Sequence, residues 1–69
     1  MDVWETRREN MRGVIDEKGG VKAVSTLLGF SNSSYLVQMT GPNPSRPISE
    51  RNARIFELKL GLASGGLDM

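Results

Sequence analysis

One glycine, Gly29, most constrains how this chain can fold, because it divides residues 20–39 into two short segments with helical periodicity. Apolar side chains recur at helical spacing in both segments: Val21, Val24 and Leu28 before the glycine, and Leu36 and Met39 after it. Glycine readily adopts the left-handed backbone conformation that ends a helix and redirects the chain. We therefore expect helix 2 over about 21–28 and a third helix over about 33–40, with Ser31, Asn32 and Ser33 as turn and cap.

A helix is also predicted on the N-terminal side of this pair, over roughly residues 3–17. Trp4, Met11 and Ile15 form an apolar stripe on a segment otherwise rich in Arg and Glu, and Gly19-Gly20 ends it. We expect the arginines of this segment to pair within the helix with acidic residues three or four positions away: Arg7, Arg8 and Arg12 with Glu5, Glu9 and Asp16.

The fourth helix has signals at both ends, and we expect it over about 50–60. Ser49 is a typical N-cap and Gly61 a typical C-terminal stop, while the prolines between Gly41 and Pro47 exclude a helix before it. Its apolar residues form two stripes, more than one core contact requires: Ala53, Phe56 and Leu60, then Ile55, Leu58 and Leu62. The sequence predicts a single all-α domain over 1–69, a compact bundle of four to five short helices.

Composition excludes several classes of function. The chain has 69 residues without cysteine or histidine, so it lacks a thiolate, a disulfide and the commonest transition-metal ligand. Asp16-Glu17 is best explained as a solvated pair, so we expect no enzymatic activity, no cofactor and no metal site. No apolar run reaches membrane length, and we expect a cytoplasmic location without membrane contact.

The distribution of charge favours a polyanionic partner more than the net charge of +1 does. No Asp or Glu occurs between Glu17 and Glu50, whereas Lys18, Lys22 and Arg46 lie in that interval. We therefore expect the face formed by this part of the chain to carry cations and no carboxylate that would repel a phosphate.

The outward residues of the third helix are suited to reading bases in a DNA major groove, which requires short side chains or amide and hydroxyl groups. The predicted base contacts are Asn32, Ser33, Ser34, Val37 and Gln38. Gln38 can bond an adenine edge through both ends of its amide, and Val37 can contact a thymine methyl group. Residues on either side of this helix are predicted to contact phosphates: Lys22, Thr40, Asn43 and Arg46.

Three segments carry a resemblance to phage lambda repressor-like and Cro-like helix-turn-helix domains: residues 27–39 (LLGFSNSSYLVQM), 46–57 (RPISERNARIFE) and 60–62 (LGL). The chain is similar to the subgroup that ends in Trp-Leu-Asp, with Gly66-Leu67-Asp68 in that place. Ser25 stands where the family usually has alanine, and the turn before Leu36 is one residue longer, which leaves open which of residues 32–34 leads base contact.

The resemblance implies a dimeric bacterial or phage transcriptional repressor that binds a palindromic double-stranded operator and is found with the host nucleoid. We expect a weak homodimer that tightens on DNA, with contacts from Leu58, Leu62 and Leu67. The alternative is a small helical protein-interaction module, of antitoxin or anti-repressor type, that uses helix 4 and the tail. A free-standing Cro-like protein and the N-terminal part of a longer repressor both fit the sequence.

Overall fold

The computed structural model describes residues 2–41, 44 and 46–69, which form four α-helices and no β-strand. Helix α1 spans Val3–Glu17, α2 Val21–Leu28, α3 Ser34–Thr40 and α4 Glu50–Leu60, and a 3-10 turn follows at Gly66–Asp68. These bounds agree with the predicted ones to within a single residue. The prediction of a small all-α bundle is confirmed.

The helix ends form where the local sequence signals place them. The Ser49 hydroxyl accepts a hydrogen bond from the Asn52 amide at 3.2 Å and so begins α4. Gly29 and Gly61 end α2 and α4 in the left-handed region, with φ of 83° and 72°. Lys59 of α4 also donates from Nζ to the Leu28 carbonyl at 3.0 Å, which ties the last turn of α2 to α4.

One hydrophobic core lies between the helices and receives side chains from each of them. Its buried residues are Met11, Ile15, Val24, Leu28, Leu36, Met39, Ile48, Ala53, Phe56, Leu60 and Leu67. The radius of gyration over Cα atoms is 10.7 Å, close to the value of about 11 Å expected of a folded chain of this length. Helix α1 contacts α2, α3 and the 3-10 turn, while α4 packs on α2.

Trp4 does not belong to this core, contrary to the stripe predicted for α1. Its side chain is 54% exposed and lies in a shallow cleft with Arg8, Pro44 and Pro47. The helical spacing is correct, but the core is centred on Met11, and Trp4 lies seven residues and thus roughly 10 Å farther along the helix axis. Periodicity indicated the side of α1 that faces the protein and not how far the core extends along it.

The C-terminal segment is held against α1 by an ion pair that was not predicted. Arg7 is buried; its Nε donates to Asp68 Oδ1 at 2.7 Å and its Nη1 to the Ile48 carbonyl at 3.0 Å. Arg54 of α4 approaches the same carboxylate, with 2.9 Å between Nη2 and Asp68 Oδ1. Of the intrahelical pairs expected for the α1 arginines, Arg12 with Glu9 forms at 2.7 Å, whereas Arg7 is bonded to a residue at the far end of the chain.

Glu57 is a buried hydrogen-bond acceptor that binds the backbone of the C-terminal tail. Its side chain is 2% exposed and accepts from the backbone amides of Gly65 and Leu67, each at 2.9 Å. Burial acts to raise the pKa of Glu57, but these two amides together with the Arg54 charge outweigh it, and the pKa lies below its usual value. The pKa of Asp68 is also lowered, chiefly by the hydrogen bond from Arg7.

We expect Glu57→Gln to lower the free energy of unfolding at pH 7 by about 1–3 kcal/mol, because an amide NH2 group would face a backbone N–H that has no other acceptor. Wild-type stability should fall as the pH drops below about 4, since a carboxylate with a lowered pKa stabilises the fold above its unfolded-state pKa and loses that effect on protonation. In the variant this acid-dependent loss should be smaller. Urea unfolding between pH 7 and pH 2 measures both quantities.

The matched control is Asp16→Asn, which removes a carboxylate from an exposed position on α1 and should change stability by no more than about 0.5 kcal/mol. A Glu57→Gln protein as stable as this control, with the same loss of stability in acid as the wild type, would contradict the role assigned to Glu57.

Candidate nucleic-acid interface

Helix α3 is oriented by two apolar side chains on its inner side. Leu36 and Met39 are fully buried in the core, whereas Ser34 and Val37 are exposed and Gln38 is half-buried on the outer side. Burial of the inner pair thus turns the predicted base-contacting residues outward, as expected. We call Asn32, Ser33, Ser34, Val37 and Gln38 the polar face of α3.

The start of α3 is capped by Asn32 rather than by one of the serines. Asn32 Oδ1 accepts from the Ser34 amide at 3.0 Å and also from the Ser34 hydroxyl. Ser33 occupies the cap position with a near-helical backbone and no capping hydrogen bond from its side chain. The Asn32 carbonyl oxygen is therefore engaged within the protein, while its amide NH2 group lies on an exposed residue and is a donor available to a ligand.

Gln38 and Arg46, predicted to have separate roles, form one unit with Tyr35. Arg46 Nε donates to Gln38 Oε1 at 3.0 Å, and the Arg46 backbone amide donates to the Gln38 carbonyl at 3.2 Å. The Arg46 guanidinium carbon lies 5.5 Å from the centre of the Tyr35 ring, which is within cation–π range. Tyr35 in turn packs edge-on against Phe30, with ring centres 5.0 Å apart. We refer to Tyr35, Gln38 and Arg46 together as the Tyr35-Gln38-Arg46 cluster.

The predicted phosphate contacts have different environments. Lys22 is exposed in the first turn of α2 and shares a cleft with Asn32 and Ser33. Thr40 is 4% exposed; its hydroxyl donates to the Leu36 carbonyl at 2.9 Å, so the prediction that it contacts phosphate is wrong. The outward position expected for Thr40 is lost because the end of α3 packs against α1. Asn43 lies outside the described residues.

Carboxylates do lie beside the polar face, which corrects the expectation of a face without them. Asp16 lines a cleft together with Val37, and Asp2 and Glu5 line another together with Arg46. These acids come from α1, which packs alongside α3 although it is distant in sequence. The same clefts are also lined by Arg12 and Arg8 of α1, so the charge beside the polar face is mixed rather than purely cationic.

Arg12 has a structural role that sequence reasoning missed. Its Nε donates to the Thr40 carbonyl at 2.6 Å and its Nη2 to the Gly41 carbonyl at 2.7 Å, while Nη1 binds Glu9. The carbonyls at a helix C-terminus lack partners within the helix, and a guanidinium there satisfies them and complements the helix dipole. Arg12 thereby holds the end of α3 on α1. The spacing of three residues to Glu9 was the visible signal, and it revealed only one of the three bonds.

The predicted dimer contacts divide into three cases. Leu58 is 83% exposed on α4, and Leu62 is half-buried against the core. Leu67 is 1% exposed and lies inside its own core, so we withdraw it as a contact between copies. Its burial in the core of its own chain is the physical reason that the Leu67 side chain is unavailable to a partner.

Within the described residues, no three acidic side chains lie close enough together to hold a metal ion, and none of the described helices is both long and apolar enough to cross a membrane. We compared the chain with protein-family models, curated proteins and solved structures, and none of these comparisons gives a match.

Replacing Arg12 by methionine, which keeps the stem but removes all three donors, should lower the free energy of unfolding by about 1–2 kcal/mol. Amide hydrogen exchange in α3 should accelerate more than in α4, because the carbonyls at the end of α3 lose their partner. Arg51→Met, at an exposed site on α4, is the matched control and should leave both quantities nearly unchanged. Equal exchange rates in α3 for the two variants would show that Arg12 does not hold the helix.

Proposed function

We propose that this protein binds double-stranded DNA in a sequence-specific manner, as a bacterial or phage transcriptional repressor that inserts α3 into the major groove. The observation that carries the proposal is the orientation of α3. Its apolar side is sealed in the core by Leu36 and Met39, while short, uncharged polar side chains cover the opposite side. A helix that exposes serine, asparagine, glutamine and valine lets its backbone approach the base edges closely.

The beginning of α3 supports the same proposal. Ser34 and Asn32 are exposed there, and since no described residue accepts from the Asn32 amide NH2 group, that group can donate to a base or a phosphate. Lys22 lies across the neighbouring cleft, at a position from which a cation contacts the phosphate backbone and fixes the register of the helix on the duplex. Residues 29–33 join α2 to α3, and this short connection, which starts with Gly29 in the left-handed region, is compatible with a helix-turn-helix whose turn is slightly longer than usual.

A single module of this size contacts few base pairs, so specific binding favours two copies on adjacent half-sites. Leu58 is the most exposed large apolar side chain of α4. Leu62 is half-buried and lies just after the end of that helix. We place the contact between copies at Leu58 and Leu62. The low net charge of +1 and the acids of α1 beside α3 argue for a modest affinity, with a shallow salt dependence because few cations can reach phosphates.

Ser34→Asp tests the proposal with little risk to the fold. The substitution removes the hydroxyl that donates to Asn32 Oδ1 but keeps the backbone amide that donates there, and an aspartate in the first turn is favourable to the helix dipole, so stability should change little. On the polar face, however, the new carboxylate would meet DNA phosphates, and affinity for duplex DNA should fall at least about tenfold. Fluorescence anisotropy with duplexes selected from a random pool, at low and moderate salt, measures the change.

Ser64→Asp makes the same chemical change at an exposed position in the tail and should leave DNA affinity within about twofold of the wild type. An equal effect of both substitutions would contradict the assignment of the interface to α3. A wild-type protein that does not bind duplex DNA even at low salt would refute the proposal and favour the protein-interaction module instead.

A further inference from the structure

The Tyr35-Gln38-Arg46 cluster contains a cation that is held in place before any ligand arrives. Arg46 is exposed, yet its backbone amide and its Nε both donate to Gln38, at 3.2 Å and 3.0 Å, and its guanidinium lies over the Tyr35 ring. An arginine whose only role is to balance nearby negative charge on the surface would not need these contacts. Since ordering a long side chain costs entropy on binding, an arginine fixed in advance binds a planar acceptor group at a lower cost.

The hydrogen bond between the two side chains determines what the cluster offers to a ligand. An adenine edge presents one acceptor, N7, and one donor, the N6 amino group, so glutamine must use both its NH2 group and its carbonyl oxygen to bind it. In this structure Gln38 Oε1 already accepts from Arg46 through one of its two lone pairs, so an adenine amino group would have to share that oxygen with Arg46. Beside this shared oxygen the pair presents a set of donors, the NH2 group of Gln38 and the terminal NH2 groups of Arg46, from which none of the described residues accepts a hydrogen bond.

We infer that the Tyr35-Gln38-Arg46 cluster reads a guanine, a step that rests on the proposed binding of duplex DNA. Guanine is the base whose major-groove edge carries two adjacent acceptors, O6 and N7, and these match the paired donors of a guanidinium. Arg46 makes the contact to the base. Gln38 and Tyr35 act as positioning residues, Gln38 through its two hydrogen bonds to Arg46 and Tyr35 through its ring.

A phosphate group would also accept two hydrogen bonds from Arg46, as the sequence had suggested. The structure favours the base because Arg46 is bonded to a side chain of the polar face of α3, the surface proposed to enter the groove. A phosphate contact from the loop beside α3 would not need that partner. The two contacts differ in one measurable respect: a guanine contact gives sequence preference at one position, whereas a phosphate contact weakens or strengthens binding to all sequences alike.

The experiment begins by selecting duplexes from a random pool with the wild-type protein. We expect a guanine at a fixed position of each half-site. Replacing that guanine by 7-deazaguanine, which lacks the N7 acceptor, should weaken wild-type binding about tenfold or more, yet change binding of Arg46→Ala less than twofold. Lys22→Ala is the matched control: it removes one cation near α3, and it should keep the full sensitivity to 7-deazaguanine.

The positioning role of Gln38 has a readout that needs no DNA. In Gln38→Leu, the Nε–H resonance of Arg46 should shift and its exchange with water should accelerate, and the preference for guanine at the selected position should weaken. An unchanged Arg46 resonance would overturn the positioning role.

A selected site without a fixed guanine, or an Arg46→Ala protein that loses the same factor on every duplex, would overturn the guanine contact and leave DNA binding standing. A wild-type protein that binds no duplex at all would overturn both.

Discussion

The burial of Leu36 and Met39 is the contact on which the candidate interface depends. A seven-residue helix such as α3 is too short to persist alone in water, so it forms because its inner side chains are packed in the core. The same burial sets the rotation of α3 about its axis and therefore which residues are exposed. Asn32 at its beginning and Arg12 at its end then satisfy backbone groups that the short helix cannot pair by itself.

Helices α1 and α2, which contact α3, are themselves tied to the rest of the protein. The tail is fixed by charged groups from different helices: Arg7 of α1 binds Asp68, and Glu57 of α4 accepts from the amides of Gly65 and Leu67. These bonds join α1, the tail and α4 around the Leu67 side chain, while Lys59 joins α4 to α2. A surface helix mounted on elements connected in this way keeps a defined orientation, which a reader of base edges requires.

Local signals were sufficient to predict the helices but not the contacts between them. Gly29, Ser49 and Gly61 act within one turn of the chain, and the bounds inferred from them agree with the structure. Arg7 and Glu57 looked like ordinary charged residues of amphipathic helices, because their partners lie 61 and up to 10 residues away in sequence. The same limitation explains Asp16: its helix packs next to α3, and no inspection of residues 18–49 alone would place a carboxylate beside Val37.

The candidate site was predicted in outline and corrected in detail. Helical periodicity correctly placed Ser34, Val37 and Gln38 on the outer side of α3, since Leu36 and Met39 had to face the core. It gave no information on which polar groups would bond to one another. The bond between Arg46 and Gln38 occupies one lone pair of the Gln38 carbonyl oxygen and sets guanidinium donors beside the Gln38 amide, and only the folded chain brings those two groups together.

The most direct test of DNA binding through α3 is a titration of isotopically labelled protein with duplex DNA, followed by NMR. If α3 enters the major groove, the largest changes will occur in the backbone amides of α3, the side-chain amides of Asn32 and Gln38, and the Nε–H of Arg46, with the tail and the amides around Glu57 nearly unaffected. Changes confined to α4 and the tail, or none at all at low salt, would contradict binding through α3.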